Sequence, residues 1–275
     1  MRNWGLQNLT KMTLLKFCQN LEQRIQEEIE DAYPTDWDED YLTRRILVAI
    51  KSLSYSQVEF LTTFNNIFIA AFKQKGDAEN KLGDIAFVLD ITYKDGDNIK
   101  GVAFLEAKRR YEGTNEYSAI KIDQLKRIYS HAPSGRLLLY NYNYMSNLAP
   151  TGIDGSRTSS SGILPKIPST YTSVMPLNTA IHLSSKKDNL EKFTIPFSYQ
   201  FAFRYLFGMD LEFGKDKVET ALGNSQNKEN LPKYVVPVTV KPGKKGEKEI
   251  DYSFSPNINR EIFAEITDTS RFDKE

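Results

Sequence analysis

The stretch between residues 84 and 108 constrains the fold most, because its pattern predicts a β-hairpin. Asp84–Tyr93 (DIAFVLDITY) and Val102–Lys108 (VAFLEAK) are rich in β-branched and aromatic residues, which favour extended strands. Between them, Lys94–Asn98 contains an Asp-Gly pair of the kind found in tight turns. We therefore expect two adjacent strands whose side chains alternate between the two faces of a sheet.

Helical periodicity surrounds this hairpin. Apolar residues recur there at steps of three and four, which is the spacing of an amphipathic helix. The segments with helical character are 8–32, 38–52, 56–75 and 115–131. Asp36 or Asp38 would cap the free N–H groups of the second one. Together with a strand over Arg136–Tyr142, the order of elements indicates an α/β fold in which helices flank a mixed sheet.

The second half of the chain gives weaker signals. They predict a loop over 148–170, a strand within 171–183, a buried aromatic helix over 196–212, a strand at Tyr234–Val240 and a basic loop at Lys241–Lys248. We divide the chain into three parts. They are an N-terminal helical extension (1–37), a central domain (38–213) and a partly irregular C-terminal extension (214–275).

Composition excludes several classes of protein. The 275 residues include 36 Lys and Arg against 36 Asp and Glu, which excludes a protein held on nucleic acid by overall charge. One cysteine, Cys18, and two histidines, His131 and His182, exclude a zinc finger and an intrachain disulfide. Catalysis would therefore rest on carboxylates, lysines and hydroxyls.

No signal peptide or membrane-spanning stretch is recognisable, so we expect a cytoplasmic protein without membrane contact.

Two carboxylates and one lysine lie at neighbouring ends of the two predicted strands. Glu106 and Lys108 point to the same face because side chains alternate, and the hairpin brings Asp84 near them. The two carboxylates and the Ala107 carbonyl are oxygen ligands of the kind that Mg²⁺ prefers. Such a metal lowers the pKa of bound water, while the Lys108 ammonium would orient that water and stabilise charge on a phosphate. The alternative is a hairpin with a surface ion pair, since Glu-x-Lys is frequent by chance.

This run resembles the PD-(D/E)XK nuclease superfamily, whose motif is an Asp followed at a distance by Glu-x-Lys. Asp84 and Glu106-Ala107-Lys108 match the motif with 21 residues between them, and Gly83 replaces the usual proline. The resemblance covers about residues 38–142. It implies a restriction-endonuclease-like fold, catalysis by Asp84, Glu106 and Lys108, and Mg²⁺ or Mn²⁺ as the cofactor.

The resemblance also implies roles for residues around the motif. Glu39, on a helix before the motif, would be a further metal ligand, with Glu59 and Glu79 as weaker candidates. Gln124, on the helix after the motif, would join the catalytic residues. Residues 100–127 carry seven basic and four acidic side chains, which favours a surface facing phosphate. The basic residues expected to contact nucleic acid are Arg109, Arg110, Lys121, Lys126 and Arg127.

These observations predict a Mg²⁺-dependent deoxyribonuclease that hydrolyses phosphodiester bonds of DNA. By analogy with the family, its role would be defence against phage or foreign DNA. Two alternatives stay open. The chain is a nuclease effector subunit that acts only with protein partners in a larger defence complex or homo-oligomer, which its zero net charge would suit. Otherwise it is a binding protein that keeps the nuclease fold without catalysis.

Overall fold

The computed structural model describes residues 7–8, 10–60, 63–76, 82–118, 120–145, 170–183, 190–225, 230–244, 249–250 and 256–267. Within these ranges the α-helices are α1 (Leu14–Ala32), α2 (Glu39–Lys51), α3 (Ile122–His131), α4 (Leu177–Leu183), α5 (Phe197–Phe203) and α6 (Lys215–Ala221). Short 3₁₀ helices cover Leu190–Phe193 and Tyr205–Phe207. The strands are β1 (Gln7–Asn8), β2 (Thr10–Thr13), β3 (Ser56–Phe60), β4 (Thr63–Ile69), β5 (Phe72–Gln74), β6 (Ile85–Thr92), β7 (Asn98–Arg109), β8 (Arg136–Met145), β9 (Thr170–Pro176), β10 (Ile195–Pro196), β11 (Tyr234–Gly243), β12 (Glu249–Ile250) and β13 (Phe263–Glu265).

One large mixed sheet contains eleven of these strands. Its order is β10-β9-β8-β7-β6-β11-β4-β3-β2, and β5 joins it by pairing with β11 and β13. Three neighbouring pairs run parallel, namely β6 with β11, β7 with β8 and β2 with β3, while the other pairs run antiparallel. The expectation of a mixed α/β fold with helices flanking the sheet is therefore confirmed.

Helices cover both faces of the sheet. On β7, Ala103 and Leu105 belong to a core that they share with α1, α2 and α5. Val102 and Phe104 point the other way, as alternation requires, and pack in a cluster with α6. On that second face α3 and α4 pack against Leu137 and its neighbours on β8. The central strands are therefore buried on both sides, which keeps water from the β7 backbone.

The hairpin and the second helix form as the sequence predicts. Ile85 of β6 lies opposite Leu105 of β7, and Thr92 lies opposite Asn98 beside the turn. α2 begins at Glu39 because the side chain of Asp38 accepts hydrogen bonds from the backbone N–H groups of the helix's first turn. The helix predicted to start at residue 8 begins only at Leu14, where the Thr13 side chain caps it.

Other predicted elements are wrong. The helix predicted over 56–75 is instead the strands β3, β4 and β5, because its apolar residues are buried between layers and a fully apolar run does not distinguish helix from strand. The helix predicted from residue 115 starts at Ile122. The strand predicted within 171–183 is confirmed as β9, which ends at Pro176 and is followed by α4, whereas the helix predicted over 196–212 ends at Phe203. Residues 148–169 and 245–248 lie outside the described residues.

Both predicted extensions contribute to the common core. α1, in the segment 1–37, buries Leu21 and Ile25 in the same cluster as Leu105. β11, in the segment 214–275, lies between β4 and β6 near the middle of the sheet. None of the helices among the described residues has the length and apolar character needed to cross a bilayer.

Candidate active site

The hairpin brings Asp84 beside Glu106. Ile85 and Leu105 are cross-strand neighbours, so the register places Asp84 next to Glu106 at the start of β6. Two hydrogen bonds fix this position: the Asp84 N–H donates to the Leu105 carbonyl over 2.9 Å, and the Ala107 N–H donates to Asp84 Oδ2 over 2.8 Å. The carboxylate of Asp84 is thus held by the backbone of the strand that carries the other motif residues.

The backbone before Asp84 requires glycine at position 83. Its φ is +88°, a value that proline cannot adopt because its ring fixes φ near −65°. A Cβ atom on Gly83 would lie 2.7 Å from the Leu105 carbonyl oxygen, which is closer than real Cβ contacts. Glycine at this position therefore permits the close approach that aligns Asp84 with β7.

Glu106 and Lys108 lie on the same face of β7, as their spacing predicts. Both are buried, with 1% and 7% of their surface exposed. Lys108 Nζ lies 2.6 Å from Glu106 Oε1, 2.7 Å from the Ala107 carbonyl oxygen and 3.4 Å from Glu39 Oε1. The pair is therefore a buried network and not the surface ion pair that chance occurrence of Glu-x-Lys would give.

Glu39 and Gln124 reach the same cluster from two helices. Gln124, near the start of α3, donates from Nε2 to Glu106 Oε1 over 2.7 Å. Glu39 is the first residue of α2, and its Oε2 accepts a hydrogen bond from Ser118 Oγ over 2.8 Å. Glu39 therefore contacts the Lys108 ammonium directly, and Gln124 joins the same network through Glu106. Ser118 was not predicted, since nothing in the sequence connects an isolated serine to a carboxylate 79 residues earlier.

Thr43 fixes the first turn of α2 relative to the sheet. Its Oγ1 donates to the Glu39 carbonyl over 2.7 Å and lies 2.9 Å from the hydroxyl of Tyr140 on β8. Tyr140 is fully buried. The backbone that carries Glu39 is therefore connected to the strand next to β7, which limits the movement of Glu39 away from Lys108.

Burial and charge set the protonation of the cluster. Burial raises the pKa of Glu106 to about 8; the charge of Asp84 adds to this shift and that of Lys108 opposes it. Burial also raises the pKa of Asp84 above its usual range, against the charge of Lys108. Burial alone would lower the pKa of Lys108, but the charges of Glu106, Glu39 and Asp84 outweigh it and raise that pKa. Lys108 is therefore a charged ammonium, suited to stabilising an anion and unsuited to accepting a proton.

The oxygen atoms of the cluster fit a hard divalent cation. Oε2 of Glu106 is buried and has no hydrogen-bond partner among the described residues, and such an atom is costly to leave without a partner. The carboxylates of Asp84 and Glu106 with the carbonyl of Ala107 suit Mg²⁺, which binds one or two protein carboxylates and keeps several waters. No group of three or more His, Cys, Asp or Glu side chains in the described ranges is arranged to hold a metal ion, so Glu39 does not join Asp84 and Glu106 in a three-carboxylate site.

The predicted nucleic-acid contacts are divided between two places. Arg109 and Arg110 follow Lys108 at the end of β7 and are half-buried. Lys121, Lys126 and Arg127 are exposed on and before α3, the helix that carries Gln124. Glu59 lies on β3, which is separated from β7 by three strands, so it does not join the cluster. Glu79 lies outside the described residues.

Comparisons with known proteins identify no relative of this chain. No family model, no curated protein and no solved structure matches the chain. The candidate site is therefore interpreted from its own residues.

Proposed function

We propose that the chain is a Mg²⁺-dependent nuclease that hydrolyses phosphodiester bonds of DNA, with a restriction-endonuclease-like arrangement of the PD-(D/E)XK type. The observation that carries this proposal is the convergence of Asp84, Glu106 and Lys108, together with the buried Glu106 oxygen that has no partner among the described residues. A role in defence against phage or foreign DNA follows from the family resemblance and belongs to the same proposal.

Each residue of the cluster has a chemical task in this reaction. Mg²⁺, when bound, acts as a Lewis acid and lowers the pKa of its water. Asp84 and Glu106 would hold it through their carboxylates. Lys108, kept charged by its neighbours, would stabilise the negative charge that develops on the phosphate. Gln124 orients the Glu106 carboxylate, and Glu39 keeps the ammonium in place from the other side.

Cleavage of supercoiled plasmid in the presence of Mg²⁺ or Mn²⁺ tests the proposal. We expect Lys108→Ala, Asp84→Asn and Glu106→Gln each to reduce cleavage by at least about 100-fold, because the first removes the positive charge that would act on the phosphate and the other two remove carboxylates that would hold the metal. Lys94→Ala is the matched control, since Lys94 is exposed in the turn between β6 and β7, at the far end of the hairpin from the cluster, and it should cleave like the wild type. Circular dichroism establishes that each variant is folded. Cleavage by all three folded site variants at the wild-type rate would refute the site.

Metal binding separates catalysis from a binding role. Isothermal titration with Mn²⁺ should show one site in the wild type, and Asp84→Asn should weaken it, because the carboxylate supplies a ligand charge. A wild-type chain that binds no Mn²⁺ would favour a protein that keeps the fold without catalysis.

The zero net charge of the chain favours one second candidate, a nuclease subunit that is active only within a larger complex. A neutral protein lacks the overall attraction to phosphate that a free nuclease gains from basic residues. This candidate predicts that the isolated chain binds Mn²⁺ through Asp84 yet leaves both plasmid and single-stranded DNA uncut. Its mass in solution would then increase when the products of neighbouring genes are added, and cleavage would appear with them.

A further inference from the structure

A cluster of aromatic rings and arginines lies beside the candidate active site. We call it the aromatic platform, and it consists of Tyr33, Trp37, Arg109, Arg110, Tyr111 and Tyr142. The rings of Tyr33 and Tyr142 stack with centroids 4.6 Å apart and an interplanar angle of 11°. Trp37 approaches both rings edge-on at 5.6 Å, and its Nε1 donates to the Arg110 carbonyl over 2.7 Å. These contacts hold the rings in one fixed orientation.

The platform adjoins the carboxylate cluster through three elements. Arg110 follows Lys108 by two residues, a step of about 7 Å along an extended strand. Trp37 precedes Glu39 by two residues, at the start of α2. Tyr142 lies two residues beyond Tyr140 on the neighbouring strand β8. These steps place the platform at the same end of β7, β8 and α2 as the carboxylate cluster.

The platform keeps aromatic surface and positive charge available to a ligand. Tyr33 is 37% exposed and Tyr111 is 40% exposed, although both are large rings that a folded chain usually covers. The guanidinium of Arg110 lies 5.4 Å from the centroid of the Tyr142 ring, and that of Arg109 lies 5.6 Å from the Tyr111 ring. Each exposed tyrosine thus belongs to a stack or pair that includes an arginine. The guanidinium of Arg110 donates to the Thr114 carbonyl and to the side chains of Asn115 and Asn141, so Arg109 is the arginine of the platform offered to phosphate.

A duplex cannot use such a surface without unstacking. Its base faces are covered by neighbouring bases, so an exposed tyrosine ring would meet only sugar and phosphate. An unpaired base presents its face freely, and stacking on an aromatic ring with an adjacent arginine is the usual way in which proteins hold single strands. We propose that the aromatic platform binds unpaired bases, and that single-stranded DNA is the substrate brought to the site. The assignment as substrate rests on the proposed function.

Binding measured in EDTA tests this inference without cleavage. The probes are a labelled single strand of about 12 nucleotides, a hairpin duplex of equal phosphate number and a single strand with abasic positions. Fluorescence anisotropy should show the single strand binding at least about tenfold more tightly than either of the others, since only it offers free base faces. Equal affinity for the abasic strand or the duplex would overturn the inference, because phosphate contacts alone would then account for binding.

Variants locate the binding surface. Tyr33→Ala and Tyr111→Ala should each weaken single-strand binding by about tenfold, whereas Tyr33→Phe, which keeps the ring, should bind as the wild type does. Tyr93→Ala is the matched control, since Tyr93 is 39% exposed but lies at the opposite end of β6 from Asp84. If Tyr33→Ala does not fold, Tyr111→Ala gives the result alone. Single-strand affinity unchanged in the folded alanine variants would overturn the inference.

The two proposals fail in distinguishable ways. If binding depends on the bases and is lost in Tyr111→Ala, but no cleavage occurs, the proposed nuclease function is refuted and the proposal that the platform binds unpaired bases is supported. If cleavage depends on Lys108 but single strand and duplex bind with equal affinity, the nuclease function is supported and the proposed role of the platform is refuted.

Discussion

Asp210 shows how single charges stabilise this fold away from the candidate site. Its backbone has a φ of 59°, in the left-handed region that few residues other than glycine, Asn and Asp adopt. Its carboxylate accepts a hydrogen bond from Gln200 over 2.8 Å and pairs with Arg204 and with Arg136, the latter at 2.7 Å. Burial opposes ionisation of Asp210, but the bonds to Arg204 and Gln200 and the charge of Arg136 outweigh it, so its pKa lies well below its usual range.

Asp210→Asn should lower the free energy of unfolding by about 2 kcal/mol at pH 7, because it leaves the mostly buried Arg136 without its carboxylate partner. Asparagine tolerates the same positive φ, so the change removes only the charge. Since the pKa of Asp210 is lower in the folded than in the unfolded chain, this stabilisation is present above about pH 4 and is lost as the pH falls further. Urea unfolding from pH 7 to pH 3 should therefore show wild type and variant converging. A constant difference across this range would contradict the prediction.

The site residues that could be predicted are those whose relation depends on local geometry. Alternation along one strand places Glu106 and Lys108 on the same face, and a short hairpin brings in Asp84, so three positions follow from a single run of sequence. Gln124 followed from the family resemblance. Ser118 did not follow from either, because its contact with Glu39 requires the segment after β7 to fold back across α2. The requirement for glycine at position 83 could not be predicted either, since a positive φ is visible only in the folded backbone.

At the level of elements, predictions succeeded where the chain carries an explicit boundary signal. α2 was located because Asp38 caps it and its apolar face has a helical period. The segment 56–75 lacks such a signal. Ile67, Phe68 and Ile69 are all buried because β4 is covered on both faces, and three consecutive apolar residues match a buried helix as well as a buried strand. The deciding interaction is the pairing of β4 with β11, far away in the sequence.

The cap of α2 links helix stability to the candidate site. Asp38→Ala removes the acceptor for the N–H groups of Asp40 and Tyr41, so it should reduce stability by about 1 kcal/mol and also lower plasmid cleavage several-fold, because Glu39 occupies the first turn. Asp38→Asn keeps an acceptor and should restore both. Thermal unfolding and cleavage rates measure the two effects.

The matched control for this cap is Thr13→Ala, which removes the cap of α1 at similar cost but away from the site. It should leave cleavage unchanged at temperatures well below unfolding. An equal loss of cleavage in Thr13→Ala and Asp38→Ala would mean that stability alone explains the effect, and that α2 does not position Glu39.

For the molecule as a whole, β11 is the element on which the sheet depends. It pairs with β4 and β5 on one side and with β6 on the other, and its Tyr234 N–H donates to the Asp84 carbonyl over 2.8 Å. Tyr234 is paired with Ile85 although the two lie about 150 residues apart in the chain. An interior strand next to the middle of the sheet is therefore supplied from the segment 214–275, and contacts of such sequence separation form late and slowly during folding.

A fragment of residues 1–213, which ends at the predicted boundary of the central domain, should fail to fold cooperatively. Without β11, the backbone groups of β4 and β6 that face it lose their partners, and unpaired buried groups of this kind are strongly destabilising. A fragment of residues 1–267 is the matched control, because it keeps every element that the structure describes. Urea unfolding should give the longer fragment a single sharp transition and the shorter one a broad, shallow change, since the slope of the transition scales with the surface exposed on unfolding. If fragment 1–213 instead unfolds in a sharp transition, with a slope per residue equal to that of fragment 1–267, the prediction is wrong. The segment before residue 214 would then form a complete core to whose surface β11 is added.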